Sequence, residues 1–156
     1  MDKAYLESSF ISYLTSRLSR DLVVAAHQQI TQQWWDTRRL GFDLHISRIV
    51  VEEVGAGDVE AARERLAVVE GIKVLQLNRE ALELAGEFIA GGAFPETSAE
   101  DALHVAVATA HGMDFLLTWN CRHIANAEMA RRAEEICQAK GYEMPRICTP
   151  EQLMGE

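Results

Sequence analysis

The feature that most constrains this chain is an alternation of short apolar runs with longer segments whose apolar residues recur at helical spacing. Ala4-Tyr5-Leu6 reads as a first strand, followed by a polar turn at Glu7-Ser8-Ser9. From about Ser19 to Arg38, Leu22, Val23, Ala26, Ile30 and Trp34 mark one face of a long helix that Gly41 ends. Leu44-His45-Ile46 reads as a second strand, and Ser47 is placed to cap a helix carrying Val50, Val51 and Val54. Gly55 and Gly57 break that helix. Asp58 caps the next, with Ala62, Leu66 and Val69 inward, and Gly71 stops it. Ile72 to Leu77 is a further strand, and Asn78 caps a helix to about Ala90 with Leu82, Ala85 and Ile89 inward. After the Gly91–Pro95 loop, Thr97 opens a helix bearing Leu103, Ala106, Val107 and Ala110. Phe115 to Trp119 is a strand, Ala127 to Lys140 a helix, and Ile147-Cys148 a last strand before a short turn at Thr149-Pro150. Strands that alternate with helices in this way predict a mostly parallel sheet covered by helices on both faces.

Length and composition narrow the reading. A chain of 156 residues suits a single domain over 1–156 with its own core. At 48% hydrophobic and 25% charged residues it has the makeup of a globular protein. The formal net charge of −9 argues against a nonspecific coat on DNA, because the long-range field repels phosphates. It leaves room for a nuclease, whose metal site itself needs acids. The three cysteines, Cys121, Cys137 and Cys148, form no Cys-x-x-Cys pair and read as free thiols of a reducing compartment. No basic region followed by an apolar stretch opens the chain, and no apolar run approaches the ~20 residues that span a bilayer. The expectation is a soluble, cytoplasmic protein.

In open α/β sheets, ligands bind beyond the carboxyl ends of the strands. That rule selects Glu7, the helix bearing Glu53, and Thr118 and Asn120 at the end of the Phe115–Trp119 strand. Asp101, in the first turn of its helix, joins them. Carboxylates gathered at one rim repel one another unless a cation intervenes, and hard oxygen donors suit Mg²⁺ or Mn²⁺. Each residue also has a plainer reading. Glu7 fits an ordinary loop acid, Glu52-Glu53 a surface pair, and Asp101 a residue complementing the helix dipole. Glu53, three residues beyond Val50, leans toward the buried stripe, whereas Glu52 leans outward. Thr97-x-x-Glu100 has the pattern of a capping box, which leaves Asp101 for another role. His104 and His111 read as packing or surface residues, and His123 as a minor candidate beside the rim. Of Trp34 and Trp35, adjacent on one helix, at most one shares the buried face.

Four segments together resemble the PIN-domain family, in particular its VapC-like toxin nucleases. Tyr5-Leu6-Glu7-Ser8-Ser9 is similar to the family's opening strand, acid and Ser/Thr turn. Ile46 to Val54 resembles the second acid motif with Glu53 as the acid, and Ala99 to Ala106 the third with Asp101. Leu116 to Asn126, containing Thr118-Trp119-Asn120, resembles the fourth. The chain departs from the pattern twice: Glu7 stands where the family usually has Asp, and Asn120 where it often has Asp. The resemblance implies a three-layer α/β/α fold with a central, mostly parallel sheet. It also implies a Mg²⁺- or Mn²⁺-dependent ribonuclease, with Glu7, Glu53 and Asp101 holding the metal and Asn120 completing the catalytic set. Thr118, Arg122 and Asn126 would position water or substrate, and Arg17, Arg20 or Arg38 would add a basic rim. Hydrolysis would leave a 5′-phosphate and a 3′-hydroxyl. Implied partners are an RNA substrate, a small antitoxin and a second copy of the chain.

The alternative is a weakly active or inactive PIN scaffold acting as an RNA- or protein-binding module, which Asn120 and the net charge favour. A phosphatase on a doubly wound fold is a third reading, but the chain has no Asp-x-Asp opening to supply a phosphoaspartyl nucleophile.

Overall fold

The computed structural model describes residues 1–155. Five strands form one sheet: β1 (Asp2–Leu6), β2 (Phe42–Ser47), β3 (Lys73–Leu75), β4 (Phe115–Leu117) and β5 (Arg146–Cys148). Their order is β3-β2-β1-β4-β5, and every neighbouring pair is parallel. β1 is central, so Ala4, Tyr5 and Leu6 are wholly buried on both faces. At the β3 edge, Lys73 and Val74 are exposed.

Seven helices cover the sheet: α1 (Ser8–Thr15), α2 (Leu22–Arg38), α3 (Arg48–Val54), α4 (Val59–Val69), α5 (Arg79–Ala90), α6 (Ala99–Ala110) and α7 (Ala127–Ala139). α1 packs on α2, α3 and α4, and α5 packs on α6 and α7, giving the expected α/β/α layers. Phe10 meets Trp34 edge to face at 5.6 Å in the α1–α2 contact. The Trp34 indole N–H also donates to the Leu153 carbonyl at 3.0 Å, tying the C-terminal turn to α2. Trp35 is only half-buried and lies under the Arg39 guanidinium. Among the described residues no helix is long and apolar enough to cross a membrane.

Several local expectations shift. Ser8 and Ser9 are not a turn but the first residues of α1, because Glu7 acts as its N-cap and accepts from the Ser9 amide. α5 buries Ala81, Leu84, Ala85 and Phe88, while Leu82 is 52% exposed. The inward stripe is therefore rotated by one residue, since Phe88 and Leu84 bury more surface than Leu82 and Ile89 could. On α4, Ala62 and Val69 are buried as expected but Leu66 is 39% exposed. The capping box at Thr97 does not form: a 3₁₀ turn over Glu96–Ser98 precedes α6, and Ser98 is its N-cap without a side-chain bond. After α3, Gly55 forms the C-cap and Gly57 adopts φ +85°, the left-handed conformation that lets the chain reverse into α4.

Because consecutive strands lie on either side of β1, the chain reverses its direction of winding between β1 and β4. In open parallel sheets such a switch point is where a ligand-binding crevice forms, here beyond the carboxyl ends of those two strands. Glu7 follows β1 and Thr118 follows β4, and the Glu7 amide donates to the Leu117 carbonyl at 3.0 Å.

Candidate metal centre

Glu7 is held rigidly for an acid. It is 5% exposed, and its Oε1 accepts from the hydroxyls of Ser9 and Thr118 at 2.5 Å each. Its Oε2 accepts from the Ser9 amide at 3.1 Å. The Ser9 hydroxyl in turn accepts from the Trp119 amide, at 2.8 Å, so the β1–α1 junction and the β4 end are locked together around this carboxylate.

Glu53 reaches the same place from α3. Its Oε1 accepts from the Ser8 hydroxyl at 2.6 Å and lies 2.6 Å from Nε2 of His104. Glu7, Glu53 and His104 each offer a ligand atom, all within 4.8 Å of one another. Among the described residues neither carboxylate pairs with a lysine or an arginine. Two neighbouring carboxylates without such partners, one buried and one 30% exposed, are costly, and a hard divalent cation fits their oxygens.

His104 is wholly buried on α6. Its Nδ1 lies 2.7 Å from the Tyr5 hydroxyl, which lies 2.8 Å from the Ser47 hydroxyl. Ser47 occupies the N-cap position of α3 but makes no cap bond; its hydroxyl serves Tyr5 instead. Burial disfavours charge on Glu53, yet the His104 hydrogen bond and charge and the Ser8 hydroxyl outweigh it and hold its carboxyl down to about 2. Burial likewise works against the His104 cation, but the bond to Glu53 and the charges of Glu7, Glu53 and Asp101 raise it above the ordinary histidine value. Burial pushes the Tyr5 phenol well up, keeping it a neutral donor. The bond to Glu53 also raises the mostly exposed carboxyl of Glu100.

Asp101 sits one turn before His104 on α6 but lies outside that three-residue group. Its Oδ1 accepts from the Asn120 amide at 3.1 Å, and its Oδ2 lies 3.1 Å from Nδ1 of His123. Asn120 Oδ1 accepts from the His123 backbone N–H, and Ser98 Oγ lies 3.2 Å from the same imidazole nitrogen. Thr118 bridges the two clusters, donating to Glu7 and accepting from the Asn120 backbone N–H at 2.9 Å.

The other expected residues are placed less centrally. Asn126 caps α7, accepting from the Glu128 and Met129 amides and donating to the Arg122 carbonyl. Arg122 is exposed on the same turn. Arg17 and Arg20 are exposed beyond α1, and Arg38 lies over the Phe42 ring. Glu52 points outward and pairs with Arg48. Sequence reasoning missed His104, Tyr5, Ser8 and Glu100. The available signal was spacing: His104 stands three residues after Asp101, on the same helix face.

The PIN domain profile matches residues 4–129. No curated protein matches significantly. Among solved structures, the chain is similar to the crystal structure of Mycobacterium tuberculosis VapC20, described as a Sarcin-Ricin loop cleaving toxin. The TM-score is 0.61 at 18% identity, covering 78% of this chain and 93% of that one. At that identity the likeness is one of architecture.

Proposed function

This chain belongs to the PIN domain family, and we propose that it is a metal-dependent endoribonuclease, the toxin of a toxin–antitoxin pair. The observation that carries the reading is the meeting of Glu7 and Glu53, from separate elements, at the crevice beyond β1 and β4 without a lysine or arginine between them. Glu7, Glu53 and Asp101 would hold Mg²⁺ or Mn²⁺. Such a cation, when bound, offsets their charge and stabilises charge developing on a phosphate oxygen.

The chain's own residues do the rest. Ser8, Ser9 and Thr118 fix the two glutamates by hydroxyl donors, leaving no lysine to compete for them. Asn120 and His123 hold Asp101 in one orientation. Asn120 would orient water and a phosphate for in-line attack, and Thr118, wholly buried, would contribute to that positioning through its bonds to Glu7 and the Asn120 amide. Arg122, exposed on the adjoining turn, would meet the RNA backbone. Asn126 shapes that turn through its cap. Cleavage leaves a 5′-phosphate and a 3′-hydroxyl. The partners are RNA, a small antitoxin and a second copy of the chain.

One observation favours a second reading, a binding module on the same scaffold. Asn120 gives Asp101 a neutral partner, so this side of the crevice carries one formal acid fewer. The deciding experiment is cleavage of a mixed RNA pool by the purified protein with Mn²⁺, with EDTA, and by Asp101→Asn of native circular dichroism. Cleavage by the parent with Mn²⁺ alone supports the nuclease. RNA bound but uncut under every condition supports the module.

A further inference from the structure

His104 is one of three residues close enough to share a cation, but its two ring nitrogens are both engaged. A carboxylate only accepts, so the 2.6 Å contact to Glu53 requires the proton on Nε2. A nitrogen bearing a proton has no lone pair for a metal. Nδ1 faces the wholly buried Tyr5 hydroxyl at 2.7 Å. Two arrangements satisfy the chain. Either Ser47 donates to Tyr5 and Tyr5 to Nδ1, or Nδ1–H donates to Tyr5 and Tyr5 to Ser47. Both keep the proton on Nε2, donated to Glu53, so the conclusion holds in either state.

We propose that His104 is a positioning residue rather than a ligand, fixing the Glu53 carboxylate for the cation through the chain Ser47–Tyr5–His104–Glu53. The inference rests on the metal site proposed above. Two further features support it. Ser47 forgoes the α3 cap, a role its residue type favours, to hold Tyr5. Ser8 converges on the same Glu53 oxygen as His104, so Oε1 is held from two sides. The chain joins β1, β2, α3 and α6, so the glutamate is braced by both the sheet and the helix layer. Partners of this kind, which orient a ligand without touching the metal, commonly change affinity by roughly 10–100-fold when removed.

The test follows the His104 ring by ¹⁵N NMR during Mg²⁺ titration, and measures Mn²⁺ binding by calorimetry in parent, His104→Leu, His104→Gln and Tyr5→Phe. A positioning role keeps the Nε2 proton at Mg²⁺ saturation. It lowers Mn²⁺ affinity roughly 10–100-fold in His104→Leu, restores part of it in His104→Gln through the amide donor, and costs a few-fold in Tyr5→Phe. Loss of the Nε2 proton on Mg²⁺ binding overturns the inference, as does unchanged affinity in the variants while the parent binds. Should His104→Leu not fold, the ring spectrum and Tyr5→Phe carry the decision. A parent that takes up neither metal overturns the proposed function, and the inference with it, whereas the outcomes above overturn the inference alone.

Discussion

Glu7 and Glu53 take their polar partners from α1, from the middle of α6 and from Thr118 just after β4, whereas those of Asp101 come from the turn after β4 alone, with Ser98 behind His123. The first cluster brings two carboxylates to one buried imidazole. The second brings one carboxylate to an amide and an imidazole, with side chains 21% and 27% exposed at Asp101 and His123. Charge needing compensation is therefore concentrated in the first cluster. On the proposed reading a cation would be held chiefly by Glu7 and Glu53, with the Asp101 side turned to the substrate.

The largest expected effect tests that division. Glu53→Gln keeps the shape but removes a charge from the more acidic cluster, and metal assistance is worth several kcal/mol. Cleavage should fall by at least ~100-fold, with Mn²⁺ binding by calorimetry lost in parallel. Asp101→Asn should abolish cleavage to a similar degree while leaving measurable Mn²⁺ binding. If Asp101→Asn loses binding as completely as Glu53→Gln, the two clusters act as one ligand set and the division fails.

Asn120→Asp sharpens the comparison from the other side. The new carboxylate faces Asp101 across the present 3.1 Å contact. Without metal the two acids repel, so the melting temperature in EDTA should fall by a few degrees. With Mn²⁺ the added charge should tighten binding about fivefold or more, as one further charge near a screened cation is worth ~1 kcal/mol. Thermal melting with and without metal reads both signs. A variant more stable in EDTA would contradict the placement of these groups.

Much of this arrangement could be read in advance, and the part that could not has a definite physical cause. Parallel strands, helices on both faces, Glu7 at the end of β1 and Glu53 on the helix after β2 all follow from local pattern. Glu53 separated from Glu52 because helical spacing gives adjacent residues different faces. His104 did not separate from core packing, since its partners Tyr5 and Glu53 lie 99 and 51 residues away. Ser47 looked like a cap for the same reason, as its preferred partner is 42 residues distant. α1 was hidden because Glu7 is both its N-cap and a candidate ligand, so a run that begins a helix looked like a turn.

The buried cluster also makes a prediction about pH in metal-free protein. Glu53 is held down to about 2, so its pairing stabilises the fold above the ordinary carboxylate range and is lost as pH falls toward 2. His104 is raised, so its contribution is complete below the ordinary histidine value and fades as pH climbs through the raised one. Between these limits the melting temperature of the parent in EDTA should exceed that of His104→Gln by its widest margin, and the gap should narrow toward both acid and alkali. A margin independent of pH would show that the pair is not ionised as described.

The smallest effect comes from the neighbour of the ligand. Glu52 and Glu53 differ by one position on α3, yet Glu52 reaches only the exposed Arg48, at 3.4 Å, with side chains 69% and 77% exposed. Exposed pairs of this spacing contribute little because solvent screens them and both long side chains lose freedom. Glu52→Gln should shift the melting temperature by only about 1 °C, with Mn²⁺ affinity and RNA cleavage unchanged. The same single-atom change at Glu53 removes a charge set between Ser8 and His104. Identical chemistry at adjacent positions thus isolates location as the variable, and equal losses at both would mean that overall negative charge, not the crevice, draws the metal.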